Sequence, residues 1–139
     1  MRDVYEMVPY TWRHPIKRMK WLRRNKRQRI RQGFCDADVW NMDRWFLAVV
    51  PAMLRVLSND IAFPDQEFGS LEEWQDWLVS LAEAFESCTR EAIEDQNQYA
   101  DDPKDTRYFD RQLELETQAE KRVQDAMTEM GKHFMSLWS

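Results

Sequence analysis

Ser70-Leu71-Glu72-Glu73-Trp74-Gln75-Asp76-Trp77-Leu78-Val79-Ser80-Leu81-Ala82-Glu83-Ala84-Phe85-Glu86-Ser87-Cys88 is the stretch on which the fold reading turns. Leu71, Trp74, Leu78, Leu81, Phe85, Cys88 and Ala92 recur in steps of three and four, the spacing of one face of an α-helix. Ser70 followed three residues later by Glu73 is a capping box, in which each side chain satisfies a backbone N–H at the helix start. The pattern predicts an amphipathic helix from Ser70 to about Gln98.

The neighbouring segments read the same way. Asp101-Asp102-Pro103 breaks the chain. A last helix is expected from about Asp105 to about Leu137, with Leu115, Ala119, Val123, Ala126 or Met127, Met130, Phe134 and Leu137 on one side. Its first half, Thr106 to Lys121, is polar on most faces and is expected to project or to pair with another subunit. Upstream, Ser58 to Gly69 is a loop, with Phe63 and Phe68 as its anchors to the core. Before it, Asp36 or Asp38 can cap a helix that continues through Trp45, Phe46, Val49, Val50, Met53, Leu54 and Leu57. Pro51 lies inside that stripe and should kink or divide it. A basic helix is expected from about Pro15, which suits a first turn, to about Arg31, with Gly33 as terminator. Residues 1–12 read as an irregular lead containing Pro9, Tyr10 and Trp12.

Three glycines and five prolines in 139 residues are too few for the turns of an all-β domain. The expected fold is all-α: a compact bundle of about four helices with a basic N-terminal helix and a long C-terminal helix. Residues 1–35 form a basic arm and helix and residues 36–139 an acidic helical body, within a single domain. Cys35 and Cys88 have no CxxC spacing, which fits a reduced, intracellular chain. No apolar run approaches the ~20 residues that cross a bilayer, and Met1-Arg2-Asp3-Val4-Tyr5-Glu6 lacks the pattern of a signal peptide.

Charge is divided unevenly. Residues 1–35 hold eleven Lys and Arg against Asp3 and Glu6, while the whole chain carries −5. Ten of those cations lie between Arg13 and Arg31. Two readings stand side by side. The segment binds phosphate groups of a nucleotide or nucleic acid, or an acidic protein face. Alternatively it lies across the acidic remainder of its own chain. Membrane binding is disfavoured because the apolar face is thin: Ile16, Met19, Trp21 or Leu22, and Ile30.

The search for chemistry yields little. Glu129 and His133 stand one helical turn apart, but a metal needs further ligands, and a histidine in a last turn is more simply a surface or capping residue. Asp36, Asp38, Asn41 and Asp43 fail the calcium-loop template, because Trp40 occupies the fifth place. There is no Ser-His-Asp arrangement, P-loop or dinucleotide fingerprint. No enzyme, metal or cofactor is expected.

Gly33-Phe34-Cys35-Asp36-Ala37-Asp38-Val39-Trp40-Asn41-Met42-Asp43, Ser70-Leu71-Glu72-Glu73-Trp74 and Gly131-Lys132-His133-Phe134-Met135-Ser136-Leu137-Trp138 together resemble a family of small proteins encoded by tailed bacteriophages. The resemblance covers about Arg29 to Trp138. It implies a phage origin and expression in the host cytoplasm, and supplies no activity residue by residue. By analogy with other small phage proteins, the expectation is a non-enzymatic antagonist of host defence. It would bind an anionic ligand, nucleotide or nucleic acid, or a host defence protein, with Arg29, Arg31, Trp40 and Arg44 as contacts; arginine presents a fork of donors suited to phosphate. The other expectation is a structural or adaptor protein of the phage particle or replication machinery, a homo-oligomer associating through helices. Trp40 and Trp45 are either anchors beneath a turn fixed by Asn41 and Asp43, or the floor of a pocket rimmed by Arg44.

Overall fold

A computed structural model describes residues 15–138, except Pro103 and the side chain of Trp138. Pro9, Tyr10, Trp12, Arg13 and His14 lie outside the described residues. In chain order the helices are α1 (Pro15–Gln32), α2 (Asp36–Trp40), α3 (Met42–Leu57), α4 (Leu71–Glu86), α5 (Arg90–Asp95) and α6 (Thr106–Lys132), followed by a 3-10 turn at Phe134–Trp138. There is no strand among the described residues, so the fold is all-α. The chain divides into two units, Met1–Phe46 and Leu47–Ser139.

In the first unit, α1 ends where Gly33 takes a positive φ of 84°, a conformation cheap only for glycine, and its N–H bonds the Arg29 carbonyl at 2.9 Å. The chain then enters α2 through Cys35. The expected single helix from Asp36 to Leu57 is interrupted at Asn41, whose side chain donates to the Ala37 carbonyl at 3.0 Å and so competes with the helical ladder. Pro51, by contrast, does not divide α3, which runs through it to Leu57 with the proline ring buried.

The second unit is built on α4. Trp74, Leu78, Leu81 and Phe85 are buried as their spacing predicts. Ser70 caps the helix, its Oγ accepting from the Glu73 N–H at 3.1 Å. Glu73 reaches back one residue further than a standard capping box, to the Gly69 N–H at 2.8 Å. The helix does not continue to Gln98. The Ser87 hydroxyl, Cys88 thiol and Thr89 hydroxyl donate to the carbonyls of Ala84 (2.8 Å), Ala84 (3.1 Å) and Glu86 (3.1 Å), drawing acceptors away from the ladder. Thr89 then caps α5 by accepting from the Ala92 N–H at 3.3 Å. The restart shifts the phase, so Ile93 is buried and Ala92 only half-buried.

The long helix α6 lies along both. Leu115, Ala119, Ala126 and Met130 form its buried line, which selects Ala126 over Met127. Small Ala119 lets the Cys88 thiol approach its carbonyl at 3.4 Å, beside Ile93, Leu115, Leu47 and Val123. Buried Asn97 ties the connection to α6, donating to the Tyr108 carbonyl at 3.2 Å and to Gln112 Oε1 at 3.1 Å while accepting from the Tyr99 N–H at 3.1 Å. The helix stops at Lys132, short of Leu137, and the 3-10 turn leaves Phe134 exposed. Phe109 and Leu113, one turn apart near its start, are also exposed.

Candidate functional site

Helical geometry sorts the residues of α1 into lines. Trp21 and Gln28, both half-buried, flank Asn25, which is buried. This inner line is polar for a packing face, and both amide heavy atoms of Asn25 lack a hydrogen-bond partner among the described residues. The outer side carries Lys17, Lys20, Arg24, Arg27 and Arg31, all exposed, in steps of three, four, three and four. That spacing aligns them as one straight row of cations over ~21 Å at 1.5 Å per residue. Next to it runs a second exposed row, Ile16, Met19, Arg23, Lys26 and Ile30.

The turn at Gly33 brings α2 back against α1. Arg29 donates to Asp38 through one edge of its guanidinium, Nε to Oδ2 at 3.1 Å and Nη2 to Oδ1 at 2.9 Å. Asp38 also accepts from the Cys35 backbone N–H at 2.7 Å. Burial pushes the Asp38 carboxyl up, but the Arg29 guanidinium and the Cys35 N–H outweigh it and lower the pKa from 3.8 to about 2. A folded-state pKa below the unfolded one stabilises the protein fully above about pH 4, and that stability is lost as pH falls through about 2. The contribution is about 2 kcal/mol, and Asp38→Asn should flatten this part of an acid-unfolding curve followed by circular dichroism.

The four contacts expected from sequence therefore differ in availability. Arg29 is paired with a carboxylate whose side chain is 2% exposed, and the pair holds the turn together. Arg31 belongs to the exposed cationic row. Arg44 is half-buried in the first turn of α3. Trp40 is 89% exposed, so its ring neither anchors a turn nor floors a pocket; Trp45 is half-buried. Sequence reasoning missed Lys17, Lys20, Arg24 and Arg27 as a set, although their three-four spacing is visible in the chain.

Asp36 joins the row to α2. It accepts from Gln28 Nε2 at 2.9 Å and faces Arg24 at 3.9 Å. Trp40 follows Asp36 by four residues, hence on the same side of α2. An extended cationic row, with an exposed indole on the helix that follows it, can neutralise several phosphates and offer a π-face to a base.

In the second unit, His133 Nδ1 bonds Glu67 rather than joining Glu129, which pairs with Lys132 Nζ at 2.6 Å. The His133 contact, with help from Ser136, holds the Glu67 carboxyl below its usual range. Phe68 and Trp77 pack against the His133 ring, and Trp74 packs behind them, its indole stacked on that of Trp77 at 5.2 Å. No group of three His, Cys, Asp or Glu residues among the described residues could hold a metal ion. No described helix is long and apolar enough to cross a membrane. No protein-family model, curated protein or solved structure matches this chain.

Proposed function

We propose that the protein is a non-enzymatic accessory protein of a tailed phage that binds an anionic ligand through its first unit, and that this binding serves to antagonise host defence. The single observation that carries the binding reading is the exposed row Lys17, Lys20, Arg24, Arg27 and Arg31. Like charges three and four residues apart on a helix destabilise it by ~0.2–0.5 kcal/mol per pair. A protein that keeps five in line retains a repulsion that an anion relieves. The bidentate Arg29–Asp38 pair fixes α2 beside the row, which gives the surface a defined shape before any ligand arrives. The defence role rests on the phage resemblance and on the lack of catalytic motifs.

Affinity capture of the tagged chain from infected cells tests the reading. Nucleotide or nucleic acid should co-purify with the wild-type chain and be lost when Lys20 and Arg27 are changed to Glu. Capture of the same partners by both forms would contradict the assignment to α1.

A further inference from the structure

The shape of the cationic surface discriminates between anions. A pocket for one nucleotide needs groups that converge from several sides on a single phosphate cluster. Lys17, Lys20, Arg24, Arg27 and Arg31 instead diverge along the convex outer side of one helix, ~21 Å from first to last. Only a ligand with a repeating charge can engage all five at once, because each position requires its own phosphate.

Two further observations narrow the polymer. Trp40 is 89% exposed, on the side of α2 from which Asp36 reaches Arg24 and Gln28. An exposed indole on the helix that follows a cationic track can stack on a base that is free of its complement, whereas in a duplex the base faces are already stacked on one another. The second exposed row could suggest a lipid surface, since Ile16, Met19 and Ile30 are 69%, 53% and 78% exposed. Arg23 and Lys26 interrupt that row, so no continuous apolar stripe is available to enter a bilayer.

We infer that the first unit is a single-stranded nucleic-acid binding surface, in which the α1 row tracks the phosphates and Trp40 stacks on a base. This rests on the anion-binding role proposed above and narrows it to a polymer. Arg29 acts as a positioning residue, holding Asp38 and through it the start of α2.

Fluorescence anisotropy on the full chain tests it, with a labelled 20-nucleotide oligo-dT, the corresponding oligo-dA·oligo-dT duplex, ATP and a cyclic dinucleotide as competitors, and phosphatidylserine-containing vesicles. Binding of the single strand in preference to the duplex is expected, with Trp40→Ala weakening the single strand about tenfold and the duplex much less. Trp40→Phe should restore most of the loss, which a merely structural role for an exposed residue would not produce. Equal or tighter duplex binding, unaffected by Trp40→Ala, overturns the single-strand inference and leaves anion binding standing. Tight binding of ATP or the cyclic dinucleotide without oligonucleotide binding overturns the polymer inference alone. Binding to vesicles only, or to none of these probes, overturns both this inference and the reading on which it rests.

Discussion

Trp74→Ala is expected to destabilise the second unit by about 3–5 kcal/mol. Trp74 is 1% exposed, and its ring meets Phe68 edge-on at 4.8 Å and stacks on Trp77 at 5.2 Å. Truncation removes these contacts and leaves a cavity in a close-packed interior, where neighbours relax only in part. Its indole N–H has no partner among the described residues, so the loss is one of packing and not of a hydrogen bond. Trp40→Ala removes the same atoms from an 89% exposed position and should change stability by no more than ~0.5 kcal/mol. Urea unfolding of the two variants makes the comparison. Equal destabilisation by both would contradict the burial assigned here.

Replacing Lys20 and Arg27 together by Glu is expected to weaken oligonucleotide binding roughly a hundredfold at physiological salt, as two phosphate contacts are lost and two repulsions take their place. The same variant should melt no lower than the wild type. Both side chains are exposed, and each glutamate gains cationic neighbours at helical spacing: Lys17 and Arg24 for position 20, Arg24 and Arg31 for position 27. The four like-charge pairs along the row cost about 1–2 kcal/mol in the free protein. Losing function while keeping or gaining stability is the mark of a binding surface. A fall in melting temperature parallel to the loss of binding would mean that the row is part of the packing.

Much of this was legible in the chain, for identifiable reasons. The α4 stripe was readable because Trp74, Leu78, Leu81 and Phe85 are all large and evenly spaced, so their burial follows from helical geometry alone. Pro15 and Gly33 marked the ends of α1 because each restricts or permits one backbone conformation. The break at Ser87–Thr89 was not readable: the Cys88 position continues the stripe, and the side-chain bonds back to Ala84 and Glu86 form only once the last turn exists. The Arg29–Asp38 pair was not readable because the partners are nine residues apart, and only the turn at Gly33 brings the two together. Trp40 shows the opposite limit. Its type suggests burial, yet placement at the end of a five-residue helix, just before the Asn41 interruption, leaves it in solvent.

The central claim is that the α1 row holds a line of phosphates. The salt dependence of oligo-dT binding measures this directly, because each neutralised phosphate of a single strand contributes ~0.7 to the slope of log affinity against log salt. Five contacts predict a slope of about −3.5 for the wild type, and Lys20→Gln with Arg27→Gln should reduce it to about −2. An unchanged slope in the double variant, or a slope near zero in the wild type, would contradict the account.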